Sequence, residues 1–201
     1  LAFTSDGRLL AAGDFEGTVR LWDSESGELK ATWAGHPDSV LSVAFSPDNQ
    51  SLAAGTGRWS DLPKPGEIHF WNVETGKSSH TVKVPYAAQG ICFLPDASQL
   101  AVSHYSHSTG VIDSKTGAVA FALRAHDGRS RSHAVLNQGR LASIGEDTQV
   151  VLWDLSTRTK TATLAGHTAP LWQISATADS SLIATASSDG TVRVWTVPPP
   201  K

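Results

Sequence analysis

The sequence predicts an all-β fold built from five consecutive copies of one four-stranded unit. Two observations carry this. One phrase returns along the chain, as Gly17-Thr18-Val19-Arg20-Leu21-Trp22-Asp23, Gly66-Glu67-Ile68-His69-Phe70-Trp71-Asn72, Thr148-Gln149-Val150-Val151-Leu152-Trp153-Asp154 and Gly190-Thr191-Val192-Arg193-Val194-Trp195. A degenerate copy, Gly110-Val111-Ile112-Asp113, has Ile112 in the tryptophan slot, and the slots then recur at intervals of 49, 41, 41 and 42 residues. Between the copies lie short β-rich runs broken by Asp, Gly, Ser and Pro, with no long segment of helical periodicity.

The units span about residues 1–29, 30–77, 78–117, 118–158 and 159–197, followed by a Pro-rich tail at 198–201. The first unit opens on the turn Phe3-Thr4-Ser5-Asp6-Gly7 and closes its third strand with Asp23-Ser24-Glu25-Ser26-Gly27. In the second, the apolar run Val40 to Phe45 reads as a strand covered on both faces, and Phe45-Ser46-Pro47-Asp48 and Asn72-Val73-Glu74-Thr75-Gly76 repeat the two turns. The third repeats them as Phe93-Leu94-Pro95-Asp96 and Asp113-Ser114-Lys115-Thr116-Gly117. The fourth carries the phrase ending Trp153-Asp154. The fifth shows the unit's layout in full sequence: Leu171-Trp172-Gln173-Ile174, a turn at Ala178-Asp179-Ser180, Leu182 to Ala186, a Ser188-Asp189-Gly190 turn, then Thr191 to Trp195. A period of about 40–45 residues matches a four-stranded propeller blade.

Composition excludes several classes. Of 201 residues, 40% are apolar and 17% charged, as in a packed globular chain rather than a disordered one. A net charge of −3 is too mild to point to nucleic acid or an anionic membrane. No apolar stretch approaches the ~18 residues of a membrane span, and no signal-peptide pattern opens the chain. The single cysteine, Cys92, permits no internal disulfide and is compatible with a reducing, cytoplasmic setting. The chain holds no methionine, so it is expected to be processed or cut from something longer.

The phrase, the period and the paired markers resemble the WD40-repeat (WD-repeat) β-propeller family over essentially the whole chain. That family marks each unit with Gly-His near its start and Trp-Asp near its end. Here these are Gly35-His36, Gly166-His167 and a variant Ala125-His126, with Trp22-Asp23 and Trp153-Asp154. The resemblance implies a hydrogen-bonded structural tetrad in each unit, made of a His, a second-strand Ser or Thr, a turn Asp and the third-strand Trp. Such a network satisfies polar groups buried between blades. In the fifth unit it implies His167, Ser187, Asp189 and Trp195. In the fourth it implies His126, Asp147 and Trp153, with Gly145 in place of the hydroxyl. In the second it implies His36 and Trp71, the turn Asp being displaced by a longer loop. In the first it implies Trp22, with Glu16 at the Asp position. The third unit has Val84 at the His position and Ile112 at the Trp position. It is expected to be held by apolar packing alone and to be the least rigid, a reading that slowest hydrogen exchange in its strands would rule out.

His167, Ser187 and Asp189 are also the residue types of a serine-hydrolase triad, but triads are recognised by geometry, and the tetrad accounts for all three. His104-Tyr105-Ser106-His107 is no metal site by pattern: histidines three apart on a strand face opposite ways, and no Cys or further His stands at a zinc-like spacing. Gly55-Thr56-Gly57 lacks the following Lys and helix of a phosphate loop. Cys92 reads as a small buried hydrophobe, and no carboxylate pair stands out for acid–base work. No catalytic residue, cofactor or metal is expected.

Function then belongs to a surface. The resemblance implies a non-catalytic scaffold that binds a partner peptide or protein domain on the face bearing the loops into each unit and between its second and third strands. It implies no nucleic acid, membrane or small-molecule substrate. Trp172, which aligns with Leu41, reads either as an exposed anchor or as a core tryptophan. Arg129 and Arg131 form a basic loop for an acidic or phosphorylated segment, or merely a solvated one. Trp59, in the long loop Gly57 to Gly66, marks a specificity insertion or folds back on its blade. The chain reads as five blades of a larger ring, the C-terminal part of seven by resemblance, and a five-bladed ring is the other reading. The alternative function is a regulatory or docking propeller segment of a multidomain enzyme such as a bacterial Ser/Thr protein kinase.

Overall fold

The computed structural model describes residues 1–58, 64–103, 108–124 and 126–199. Among these there are strands and turns and no helix. The first sheet holds β1 (Ala2–Phe3), β2 (Leu9–Gly13), β3 (Val19–Asp23) and β4 (Leu29–Trp33), and the second β5 (Val40–Phe45), β6 (Ser51–Thr56), β7 (Gly66–Asn72) and β8 (Ser78–Val84). The third holds β9 (Gly90–Phe93), β10 (Gln99–Ser103), β11 (Ser108–Asp113) and β12 (Val119–Arg124), and the fourth β13 (Ser130–Leu136), β14 (Arg140–Gly145), β15 (Gln149–Asp154) and β16 (Thr159–Ala165). The fifth is three-stranded: β17 (Leu171–Ala176), β18 (Leu182–Ser187) and β19 (Val192–Thr196). In every sheet the strands lie in chain order and neighbouring strands pair antiparallel wherever the register is described.

By backbone contacts the chain divides into two compact units, Leu1–Val102 with Ile112–Ala120, and Ser103–Val111 with Phe121–Lys201. Each has its own core. In the first unit, successive side chains of β6 and β7 serve two clusters, because strand neighbours point to opposite faces. Leu52, Ala54 and Trp71 pack with Ala11, Val19 and Leu21 of the first sheet. Ala53, Ile68 and Phe70 pack with Ile91, Phe93 and Leu100 of the third. In the second unit Leu136, Ile144, Leu152, Leu171 and Ile183 form one cluster between the fourth and fifth sheets. Strands buried on both faces are what the near-continuous apolar runs of the sequence specify.

One irregularity places the surface described below. The pairing of the first and second strands slips between Val40 and Ser42, between Ser130 and Ser132, and between Leu171 and Gln173. Leu41, Arg131 and Trp172 are therefore bulge residues at the same point of their sheets, and a bulge re-aims the side chain it carries.

Candidate functional site

In the second unit the polar networks are closed. His167 Nδ1 lies 2.7 Å from Asp189 Oδ2 and its Nε2 lies 2.9 Å from Thr185 Oγ1. Trp195 Nε1 donates to the same Thr185 oxygen at 2.8 Å. The fourth sheet repeats this: His126 Nδ1 is 2.9 Å from Asp147 Oδ1, its Nε2 is 2.8 Å from Ser143 Oγ, and Trp153 Nε1 donates to Ser143 Oγ at 2.9 Å. One hydroxyl thus joins an imidazole to an indole from the adjacent strand.

The hydroxyl differs from the one expected. Ser187 does not contact His167 or Trp195. Its Oγ donates to the carbonyls of Ala169 and Pro170, tying down the segment that leads into β17. The network uses Thr185, two residues earlier, and in the fourth sheet Ser143 rather than the position of Gly145. Residues two apart share a strand face, so facing alone does not separate them. The cross-strand register does: Trp195 is opposite Ile183, and its indole reaches diagonally to Thr185. This geometry also leaves Ser187 without a histidine base, so the three residue types of a triad do not form one.

The remaining sheets lack the network. Trp71 has Ala54 at the hydroxyl position and Trp22 has Ala12, as the registers Ala54↔His69 and Ala12↔Arg20 show. His36 packs edge-on to Trp71 with centroids 5.4 Å apart. The third sheet departs from apolar packing alone. Ile112 is fully buried, but Thr109 Oγ1 lies 2.8 Å from His133 Nε2 and 3.0 Å from Ser130 Oγ, and Ser103 Oγ lies 3.3 Å from His133 Nε2. His133 occupies the strand position held by Val43 and Ile174 in the sibling units, so a polar cluster replaces an apolar one.

Both tetrad carboxylates titrate low. Burial works against the Asp147 carboxylate, but the His126 hydrogen bond and charge outweigh it and hold the pKa below the ordinary 3.8. Asp189 is held lower by the Thr191 hydroxyl first and His167 after it, against the cost of burial. A carboxylate with a depressed folded pKa stabilises the fold above its unfolded pKa and loses that contribution as pH falls through the folded value. Urea midpoints of wild type and Asp147→Asn/Asp189→Asn are expected to differ most near pH 7 and to converge below the ordinary carboxylate range. A gap that stays constant down to pH 2 would contradict this.

The surface residues divide. Trp172 is 43% exposed, so it is not a core tryptophan. Its Nε1 donates to Ser188 Oγ, and the Arg131 guanidinium lies over its ring, 4.6 Å from the centroid. Arg131 is not in a solvated loop: it is a bulge residue of β13, only 8% exposed, and paired with Glu146. Its charge is spent inside the protein, and it props the tryptophan. Arg129 precedes the strand, where its carbonyl accepts from Glu146 N at 3.0 Å. Leu41 is partly buried at the corresponding bulge of the second sheet. Trp59, Ala125 and the segment from His104 to His107 lie outside the described residues.

Among the described residues there is no group of three or more His, Cys, Asp or Glu that could hold a metal ion, and no helix is long and apolar enough to cross a membrane. Burial pushes the Cys92 thiol up to about 12, so it is no nucleophile at neutral pH.

The family described as WD domain, G-beta repeat matches residues 1–23, 27–61 and 158–196. The WD repeat-containing protein SL1-17 of Schistosoma mansoni is 30% identical over 153 residues, 75% of this chain and 48% of that protein. The WD repeat-containing protein slp1 of Schizosaccharomyces pombe is 28% identical over 163 residues, 76% of this chain and 32% of that protein. The apoptotic protease-activating factor 1 of Danio rerio is 28% identical over 93% of this chain but only 14% of its own length. The chain thus spans less than half of each of these relatives. The solved structure of U3-55K superposes with a TM-score of 0.81 at 20% identity, covering 97% of this chain and 59% of that one, which shows a shared fold. Repeats, sheets, networks and comparisons agree that the chain belongs to the WD40-repeat β-propeller family.

Proposed function

We propose that this protein is a non-catalytic interaction scaffold, and that a partner peptide docks on the surface around Trp172. The observation that carries this is a large aromatic side chain, 43% exposed, yet fixed on two sides by Arg131 and Ser188. A tryptophan immobilised before binding loses little rotamer entropy on binding, which is what makes an effective anchor. Because Arg131 is already paired with Glu146, the occupant is a peptide presenting an apolar or aromatic side chain to the indole, not one read chiefly by acidic charge. Leu41 is the equivalent apolar contact point of the second sheet, and Arg129 borders the site. Membership of a family of WD repeat proteins supports a scaffold role. The mild net charge of −3 fits neither a nucleic-acid nor a membrane partner. The single reduced cysteine fits a cytoplasmic setting. The extra length of the relatives supports the chain's five repeats, within the bounds given above, being part of a larger propeller. None of the relatives named here points to a linked kinase.

The test is a selection of displayed random peptides on the immobilised protein, followed by affinity measurement on wild type and Trp172→Ala. Trp172→Ala is expected to weaken the selected peptides about tenfold or more. Unchanged affinity would remove Trp172 from the site.

A further inference from the structure

Several turn hydroxyls of this chain are already spent. Ser26 donates its proton to Asp23 at 2.9 Å, Thr116 to Asp113 at 2.8 Å and Ser181 to Asp179 at 2.8 Å. Ser187 donates to the carbonyls of Ala169 and Pro170. A phosphoryl group at any of these would meet oxygens that repel it. Ser188, the next residue, differs. It is exposed, in the turn from β18 to β19, and its Oγ accepts from Trp172 Nε1. Among the described residues no acceptor takes the hydroxyl's own proton, which is left to solvent. The backbone beneath it is pinned, Ser188 N donating to Pro170 O at 2.9 Å. The adjacent Asp189 carboxylate is occupied with His167, the Thr191 hydroxyl and the Thr168 N–H.

The indole of Trp172 stands between two groups that respond to charge. Ser188 lies at its Nε1 edge, and the Arg131 guanidinium lies over its ring, 4.6 Å from the centroid. Arg131 is held by Glu146, whose side chain is 29% exposed. A phosphoserine carries about −1.5 to −2 charges at neutral pH and three strong acceptor oxygens. A guanidinium takes phosphate through two parallel N–H bonds. A phosphate on Ser188 therefore competes with the Glu146 carboxylate for Arg131. It also sets a dianion at the edge of the indole, and an apolar side chain docking there has to strip that dianion of water, which is costly.

We propose that Ser188 is a phosphorylation site, and that its modification by a serine kinase switches the Trp172 surface off. The Ser188 oxygen forms the bond to the γ-phosphorus of a nucleoside triphosphate as the bond from that phosphorus to the diphosphate breaks. The hydroxyl proton goes to the kinase's base and the nucleoside diphosphate leaves. One modification acts twice, drawing Arg131 from its place over the ring and charging the ring's edge. The switch rests on the docking surface proposed above.

The experiment places phosphoserine at position 188 of the whole chain by genetic encoding and measures affinity for the peptides selected on wild type. A loss of at least tenfold is expected, with the chain still folded in a thermal melt. Ser188→Ala, which removes the hydrogen bond without adding charge, is expected to lose less. The phosphate's second pKa, read by 31P resonance, is expected below its ordinary value of about 6 because Arg131 engages it. Incubation of the wild-type chain with ATP and a panel of purified serine kinases, mapped by mass spectrometry, is expected to mark Ser188 in preference to Ser187. An affinity within twofold of wild type, a loss no greater than that of Ser188→Ala, a phosphate that titrates at or above about 6, unfolding on modification, or no mark on Ser188 would each overturn the switch. Trp172→Ala separates the two readings. If it weakens the peptide and phosphoserine does not, the switch fails and the docking surface stands. If it has no effect, the docking surface falls and the switch with it.

Discussion

Ser143→Ala is expected to destabilise the protein by about 2–5 kcal/mol, read from urea unfolding followed by tryptophan fluorescence. A single oxygen, Ser143 Oγ, satisfies both His126 Nε2 and Trp153 Nε1. Alanine removes it without opening the site to water, since Trp153 is 3% exposed and His126 4%. Two buried donors or acceptors are then left unpaired, each costing about 1–3 kcal/mol. Ser143→Thr is expected to stay within about 1 kcal/mol, because Thr185 does the same work in β18. Ser187→Ala should cost less than Ser143→Ala, its hydroxyl holding two loop carbonyls and the Asp189 N–H but neither the histidine nor the tryptophan of the network. If Ser187→Ala proves the more damaging of the two, the register of the network is wrong.

Gly66→Ala is the second large effect, about 3 kcal/mol. A Cβ at position 66 would sit 2.5 Å from the Thr56 carbonyl oxygen, 2.8 Å from that of Tyr86 and 2.9 Å from Ala87 Cα. All three are main-chain atoms, so none can swing aside as a flexible side chain would. The cost falls on the pairing of β6 with β7 and on the segment between β8 and β9. Gly76→Ala is the control. Gly76 has φ +64° but nothing within 4 Å of an added Cβ, so only the left-handed backbone penalty applies, about 1 kcal/mol. Equal urea midpoints for the two variants would mean that the close approach at Gly66 relaxes freely.

The architecture was legible because two periodicities coincide. The tryptophan slot repeats every forty-odd residues, and within each unit the alternation of strands puts Ile68 and Phe70 on one face and Trp71 on the other. Side-chain placement was legible less evenly. Ser187 and Thr185 carry the same chemistry on the same strand face, so sequence spacing to Asp189 could not choose between them. Only the pairing of Ile183 with Trp195 does. Arg131 looked like part of a basic loop because a bulge leaves no mark in composition. Its signal was positional: Arg131, Trp172 and Leu41 stand at the same offset from the start of their first strands. His133 was invisible for a different reason. It replaces an apolar strand residue, and its partners Ser103 and Thr109 come from the preceding repeat. His69 had a readable signal in the alternation Glu67, His69, Trp71, but the His36 ring beside it lies 33 residues earlier and meets it only through the packing of the first two sheets.

Hydrogen exchange with a selected peptide would show whether the proposed partner docks on the Trp172 surface. Exchange is compared with and without saturating peptide across the whole chain. Added protection is expected at residues 127–131 and 168–173, the segments that carry Arg131 and Trp172, with little change in β4, β8, β12 and β16. Protection confined to those fourth strands, with the Trp172 segments unchanged, would contradict it.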